Sequence, residues 1–474
     1  MASPTTRRKI VIVGAGASGP VMAVFLARRG HEVEVYERRP DMRRQGCAAG
    51  KSVNITLAER GLRVLKAAGV PFDELMRRTV PLKGRMVHTG GGRLKFQAYG
   101  QTDSEVIYSV MRNDVNVLLL DLLDRQPGVK LFFGHSCVGL DRQDGAITFR
   151  EVETGEERRV KADVIIGADG TFSAVRRHMQ RGVRADYTQM FLEAGYRELR
   201  IPAAPDGSYK VDPNVLHVWP RGECLLLAMA NADGTFTCTC ILPFEGERSF
   251  QALDTEERVM EFFRANFSDA VPLIPHLAEQ FMQARTAEFI TTTTSRWYYE
   301  DKVVILGDAC HTVTPFYGQG MNAALEDCIA LDQCIGKHGD DWRAAFAEFQ
   351  AVRKRHTDVL AELSVRNYYE LCDKARMPRV ALQKKIDFAL HRLFPNRWVP
   401  LYTMISHSMT PYADAVERAR RQQRLLTFCG VTALLDLVTA SAGLWLRLAG
   451  ERPRRAAAAY PVARRSGVAE QSKL

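Results

Sequence analysis

No CxxC pair occurs among the ten cysteines of this 474-residue chain, so zinc-ribbon spacing is absent. Cys238 and Cys240 stand two apart in an alternating TFTCTC stretch and therefore share one face of a strand. Reduced, buried thiols and no metal site are the expectation. The N-terminal MASPTTRRK has no apolar core of the kind a secretory signal needs, and no internal repeat is visible. A basic face for nucleic acid is also missing. The net charge is +10, but residues 417–474 carry +7 of it, which leaves only +3 for the first 416. The basic balance belongs to the tail, and no nucleic-acid partner is expected.

What is present is a chain long enough for two joined domains, with 46% hydrophobic and 25% charged residues, as in an ordinary globular protein. It is organised around Lys9 to Glu37, KIVIVGAGASGPVMAVFLARRGHEVEVYE. Apolar Ile10 to Val13 predict a buried strand, Gly14, Gly16 and Gly19 a tight turn, and the following stretch a helix ending near Gly30. Val33 to Tyr36 return as a second strand ending at Glu37, which is placed to bond a ribose. The first glycine permits the turn, the second lets backbone approach a pyrophosphate, and the third lets helix and strand pack closely. Unpaired N–H groups at the helix start favour the phosphates, and Pro20 is tolerated there because its missing N–H would lack a partner anyway.

Two further stretches carry nucleotide chemistry. In Asp163 to Arg176, DVIIGADGTFSAVR, a strand runs into Gly167, Asp169 and Gly170 before a helix near Ser173. In Lys302 to Asn322, KVVILGDACHTVTPFYGQGMN, Asp308 ends a buried strand, where ligands collect in open α/β sheets. The Gly318 and Gly320 loop then opens a helix whose N-terminus, at Met321 and Asn322, can face the pyrimidine edge of a flavin. Its positive end favours the anion formed there on reduction. From Tyr187 to Leu242 the pattern alternates, as an antiparallel sheet requires, and from Trp342 to Leu393 it is helical.

Together the three motifs resemble those of single-component flavoprotein monooxygenases with the para-hydroxybenzoate hydroxylase fold. The lack of a second GxGxxG suits a family in which NADPH docks transiently. The resemblance narrows through GKSVNITLAERG (Gly50 to Gly61), KGRMVH (Lys83 to His88), YGQTDSEVIYSVMR (Tyr99 to Arg112), PNVLHVWP (Pro213 to Pro220), FTCT (Phe236 to Thr239), PFYGQGMNAALED (Pro315 to Asp327), RNYYEL (Arg366 to Leu371) and PLYTM (Pro400 to Met404). Over roughly residues 8 to 420 the chain is similar to the kynurenine 3-monooxygenase family.

That resemblance implies an α/β fold: a Rossmann-like FAD-binding domain over 1–182, with a substrate-contacting hairpin near 81–100, and an antiparallel-sheet substrate domain over 183–295. The GD motif and a helical region would fill 296–415, and a basic tail 416–474. It implies FAD and NADPH as cofactors, O2 and a small-molecule substrate as partners, and hydroxylation of L-kynurenine to its 3-hydroxy product through a flavin C4a-hydroperoxide. No protein side chain is expected to act as catalyst, because the aniline nitrogen activates its own ring. His311, beside the GD motif, is read as structural. The glycine turn and Asp169 would hold FAD, Asp308 the ribityl chain, and Arg112 would touch the cofactor. Arg85 would clamp the substrate carboxylate, Tyr99 and Asn367 would bond the same head group, and Tyr402 would close that end. Leu216, Phe236, Pro315 and Phe316 would wall the ring.

Lys51, the NDVN at Asn113 to Asn116, Tyr317 and Leu371 depart from the family pattern, and the last two leave the tolerated ring substituents open. A hydroxylase of another aromatic metabolite and a flavin-binding module without turnover are the competing readings. A flavin halogenase would carry WxWxIP, which is absent. The mostly apolar run Leu425 to Leu446 could span a bilayer by length, which needs about 20 residues. Asp436 at its middle opposes a span at a cost of about 2.5–3.5 kcal/mol. Packing on the C-terminal region and attachment to a membrane surface both stand as readings. Residues 450–474 are expected to be disordered, and a cytoplasmic location, with membrane association left open, is the expectation.

Overall fold

The computed structural model describes residues 6–44, 53–89, 92–102, 104–372 and 378–428. Lys51, most of the apolar run 425–446 and the rest of the tail lie outside the described residues. Met1–Arg424 forms one compact unit and Leu425–Leu474 another.

Apolar, β-branched segments with turns at both ends build the first sheet. Its strands run in the order Tyr298–Tyr299, Val303–Ile305, Val164–Gly167, Lys9–Val13, Glu32–Glu37 and Val129–Phe133. All neighbours are parallel except the first pair. Ile10, Ile12, Val33, Val35, Val164 and Ile166 are fully buried, as strands covered on both faces must be. The helix Ser18–Arg28 follows the glycine turn, with Pro20 inside its first turn. The three nucleotide motifs leave the same end of three adjacent strands, since Val13 pairs with Gly167 and Gly167 with Ile305.

The second sheet has seven strands in the order Ala287–Thr294, Tyr187–Ile201, Phe236–Pro243, Cys224–Ala230, Val215–Arg221, Gly84–His88 and Leu94–Ala98. The hairpin near 81–100 is therefore an extension of this sheet, its first strand lying parallel to Val215–Arg221 with Arg85 opposite Leu216. Period-2 alternation divides the faces. Leu199, Leu226, Ala228, Phe236, Cys238 and Cys240 pack into a core with the helices Glu256–Asn266 and Leu277–Gln283. Val218, Leu225, Ile241, Phe289 and partly buried Leu216, Tyr196 and Leu227 pack on the other side, with Phe316, Tyr368 and Leu371.

Helices Gly320–His338, Trp342–Cys372, Pro378–Leu393, Leu401–Ser406 and Tyr412–Phe428 complete the described chain. Among the described residues no helix is long and apolar enough to cross a membrane. No group of three His, Cys, Asp or Glu side chains there could hold a metal ion.

Candidate active site

A cavity of about 410 Å³ runs between the motif loops and the second sheet. One end is backbone. Gly16, Ala17 and Ser18 of the first turn, Gly170 and Thr171 of the second motif, and Leu306 and Asp308 of the third form its wall. A side chain at Gly14 would press its Cβ to 2.4 Å from the Ala168 carbonyl oxygen, and one at Gly19 to 1.9 Å from the Gly14 oxygen. At Gly16 a Cβ would meet nothing within 4 Å. Gly14 and Gly19 thus close the turn behind the wall, while Gly16 faces free space.

Asp308 and Arg112 line the same end, and neither side chain bonds another described side chain. A carboxylate and a guanidinium with no side-chain partner among the described residues, beside an open glycine turn and a helix start, fit a dinucleotide that carries hydroxyls and a pyrophosphate. Gly320 and Met321, at the start of the 19-residue helix Gly320–His338, also reach the wall, and no side chain caps that helix. Its first N–H groups remain available to negative charge.

Several expected cofactor residues act from behind the wall. Glu37 is buried and accepts hydrogen bonds from the Ala15 backbone N–H at 2.8 Å and from Arg39, so it clasps the glycine turn. Burial opposes its charge, but these donors outweigh it and hold the carboxyl below the usual range. Asp169 accepts from the Ser173 hydroxyl and from the N–H groups of Ala174 and Val175, which fixes the start of the helix Ala174–Met179 and presents Gly170 and Thr171. Burial dominates there and pushes its carboxyl up. Asn322 is fully buried: its amide oxygen accepts from Ala58 N–H, and its nitrogen donates to the carbonyls of Thr56 and Gly318. It sutures two loops of the wall.

At the other end Arg85, Tyr99 and Tyr402 come together. Arg85 Nε donates to the Tyr99 hydroxyl at 3.3 Å, and the Tyr99 and Tyr402 rings stack 4.9 Å apart. No carboxylate among the described residues pairs with Arg85. Lys384 lies near enough for the two charges to repel; burial, then Arg85, push its ammonium down to about 8. Leu216, Pro315 and Phe316 form the apolar middle, Phe316 packing against Phe289 and Tyr368 at 4.8 and 4.7 Å.

Two expected substrate residues are elsewhere. Phe236 is buried on the opposite face of the sheet, edge-on to Tyr209 and His217, because its strand exposes Thr239 and Ile241 to the cavity. Asn367 donates its side-chain N–H to the Phe316 carbonyl at 2.5 Å, which anchors the wall instead of forming it. Conversely Thr56, Tyr196, Leu227, Met229, Thr239, Glu288 and Phe289 line the cavity without having been singled out. Once the phase of one strand is known, alternation assigns most of them. His311 is buried and bonded to Asp327 at 2.5 Å, away from the wall.

Residues 7–345 match the family model described as FAD binding domain. A kynurenine 3-monooxygenase of Salinispora arenicola is 43% identical over 452 residues, 95% of this chain and 99% of the relative. One of Flavobacterium johnsoniae is 42% identical over 411 residues, covering 87% and 91%. Among solved structures, tetrameric 2-methyl-3-hydroxypyridine-5-carboxylic acid oxygenase superposes with a TM-score of 0.63 at 21% identity, over 78% of this chain and 93% of that one. PqsL of Pseudomonas aeruginosa in complex with 2-aminobenzoylacetate gives 0.62 at 22%, over 78% and 98%. These structures share the fold.

Proposed function

The chain belongs to the kynurenine 3-monooxygenase family and is an FAD-dependent aromatic monooxygenase, and from that premise we propose that it hydroxylates L-kynurenine to 3-hydroxykynurenine with NADPH and O2. The observation that carries the substrate is Arg85, a guanidinium on the cavity wall beside the Tyr99 hydroxyl with no described carboxylate to neutralise it. Such a fork suits a carboxylate, to which it can offer two parallel hydrogen bonds.

FAD, when bound and reduced by NADPH, would activate O2 for transfer of one oxygen atom to the ring, the other leaving as water. This chain's residues bind and orient. Arg85 and Tyr99 hold the amino-acid head group, and Tyr402 covers it. Leu216, Pro315 and Phe316 keep the ring against the cofactor end and exclude water. Gly16, Arg112 and Asp308 hold the cofactor's polar length, and the start of the helix at Gly320 favours negative charge near it.

Arg85→Ala tests the assignment. The KM for kynurenine should rise about a hundredfold, as loss of a charge-assisted pair predicts, while FAD content stays that of the parent. An unchanged KM would remove the substrate reading. For the tail we favour attachment to an anionic membrane surface, supported by the +7 carried by residues 417–474 beside an apolar run. Sedimentation with anionic vesicles, lost on truncation after Arg424, is the expected behaviour; sedimentation that survives truncation would refute it.

A further inference from the structure

Tyr317 closes the short turn Pro315–Tyr317, one residue before Gly318, which is held at φ +67°. Its ring centre lies 5.9 Å from that of Tyr402, which stacks on Tyr99, and the Arg85 guanidinium carbon is 5.5 Å from the Tyr99 ring centre. Three phenols therefore stand in file along one wall, and all three line the cavity with Arg85. The rest of the nearby wall is apolar: Leu216, Phe316 and Leu371. The Tyr99 hydroxyl is engaged by Arg85 Nε, whereas the Tyr317 hydroxyl bonds no described residue. Burial pushes the Tyr317 phenol well above its ordinary value, so its O–H remains a donor. Packed through Tyr402 onto Tyr99, the ring that Arg85 borders, Tyr317 stands at the head-group end.

A carboxylate offers about four lone-pair positions, and one guanidinium already turned toward Tyr99 cannot fill them. Inside a low-dielectric cavity an unfilled acceptor is costly, so another protonated donor in reach has a definite use. We propose that Tyr317 is a specificity-determining residue whose hydroxyl donates to the substrate's α-carboxylate, so that the pocket selects aryl amino acids over the amines that lack that group. This rests on the kynurenine reading and deepens it. A site built to bond a polar group discriminates strongly against the analogue without it, because its own donors are then left unpaired.

The test compares the FAD-loaded full chain with Tyr317→Phe, which removes one oxygen atom and keeps the ring. Binding of L-kynurenine and of its decarboxylated analogue kynuramine is followed by the change in flavin absorbance, with kcat and KM measured for kynurenine and FAD content measured for both proteins. Kynurenine should bind about tenfold more weakly to Tyr317→Phe, with KM raised to match and kcat within about twofold. Kynuramine, already weak, should bind both proteins equally, and FAD content should not change. A loss of the same factor for both ligands would overturn the carboxylate assignment, because the hydroxyl would then serve a group the two share. An unchanged kynurenine affinity would overturn it as well. Failure of the parent enzyme to bind or hydroxylate kynurenine would instead sink the substrate reading itself.

Discussion

Two glycines of the first turn do different jobs, and substitutions separate them. Gly14 has φ +104° and backbone within 2.4 Å of any added Cβ, whereas nothing lies within 4 Å of one at Gly16. Gly14→Ala should strain the turn, lowering the stability of the flavin-free protein by at least about 1 kcal/mol. Gly16→Ala should leave that stability within about 0.5 kcal/mol of the parent, as expected of a change in open space, yet purify largely without FAD. Denaturation of the two apoproteins and flavin absorbance of the purified forms check this; equal stability loss in both variants would mean that Gly16 is not facing the cofactor. Residue types and order singled out the Gly16 turn, Asp308 and Arg85, all of which border the cavity. Asn367 and Phe236, read as substrate contacts, lie elsewhere, since whether an amide meets a ligand or a carbonyl depends on a partner 51 positions away, and which side a ring takes depends on the phase of a strand. Asn367 spends an N–H on Phe316, and Phe236 shares the face of Cys238 and Cys240, away from the cavity, in an alternation whose origin the sequence leaves unset.

Behind the helix Gly320–His338 lies a buried ionic cluster that joins elements far apart in the chain. Asp327 accepts from Gly307 N–H, from Arg353 Nε at 2.7 Å, and contacts His311 Nε2 at 2.5 Å. Arg353 and Arg60 share Glu326, and Arg60 also donates to the carbonyls of Met404 and Ile405, on the helix that carries Tyr402, and of Thr410 beyond it. Burial would raise the Asp327 carboxyl, but His311 and Arg353 outweigh it and hold it below the ordinary range. Its unfolded form binds a proton at about pH 4, above the folded form. The contribution is therefore complete above about pH 4 and is lost as pH falls through the lower folded value. Asp327→Asn should destabilise the protein by about 3–5 kcal/mol at neutral pH, because it removes one partner of a buried ion pair and leaves Arg353 with Glu326 alone. It should also flatten the fall of stability on acidification below about pH 4. Urea unfolding at a series of pH values measures both effects. A parent-like stability at pH 7 would show that the cluster is not what fastens this helix.

Nothing in any one stretch of sequence states that residues 9–19, 163–176 and 302–322 meet. The parallel pairing of Lys9–Val13 with Val164–Gly167, and of that strand with Val303–Ile305, brings their loops to one end of a sheet. Family spacing made the partnership readable, since it records a long-range pairing that local patterns do not. The attachment of the Gly84–His88 hairpin to the second sheet was less legible, because its parallel contact with Val215–Arg221 spans more than 100 residues. That contact sets Arg85 on the cavity wall from the second sheet, while Gly16 and Asp308 reach it from loops that follow strands of the first. A substrate held in this cavity beside the cofactor should couple reductant use tightly to ring oxidation.

Kynurenine hydroxylation is tested most directly by the ratio of 3-hydroxykynurenine formed to NADPH consumed, measured with the FAD-loaded full chain and saturating L-kynurenine. A ratio close to one, with NADPH oxidation stimulated by kynurenine, is the predicted result. Stimulated oxidation that yields only hydrogen peroxide, or no response to kynurenine, would contradict it.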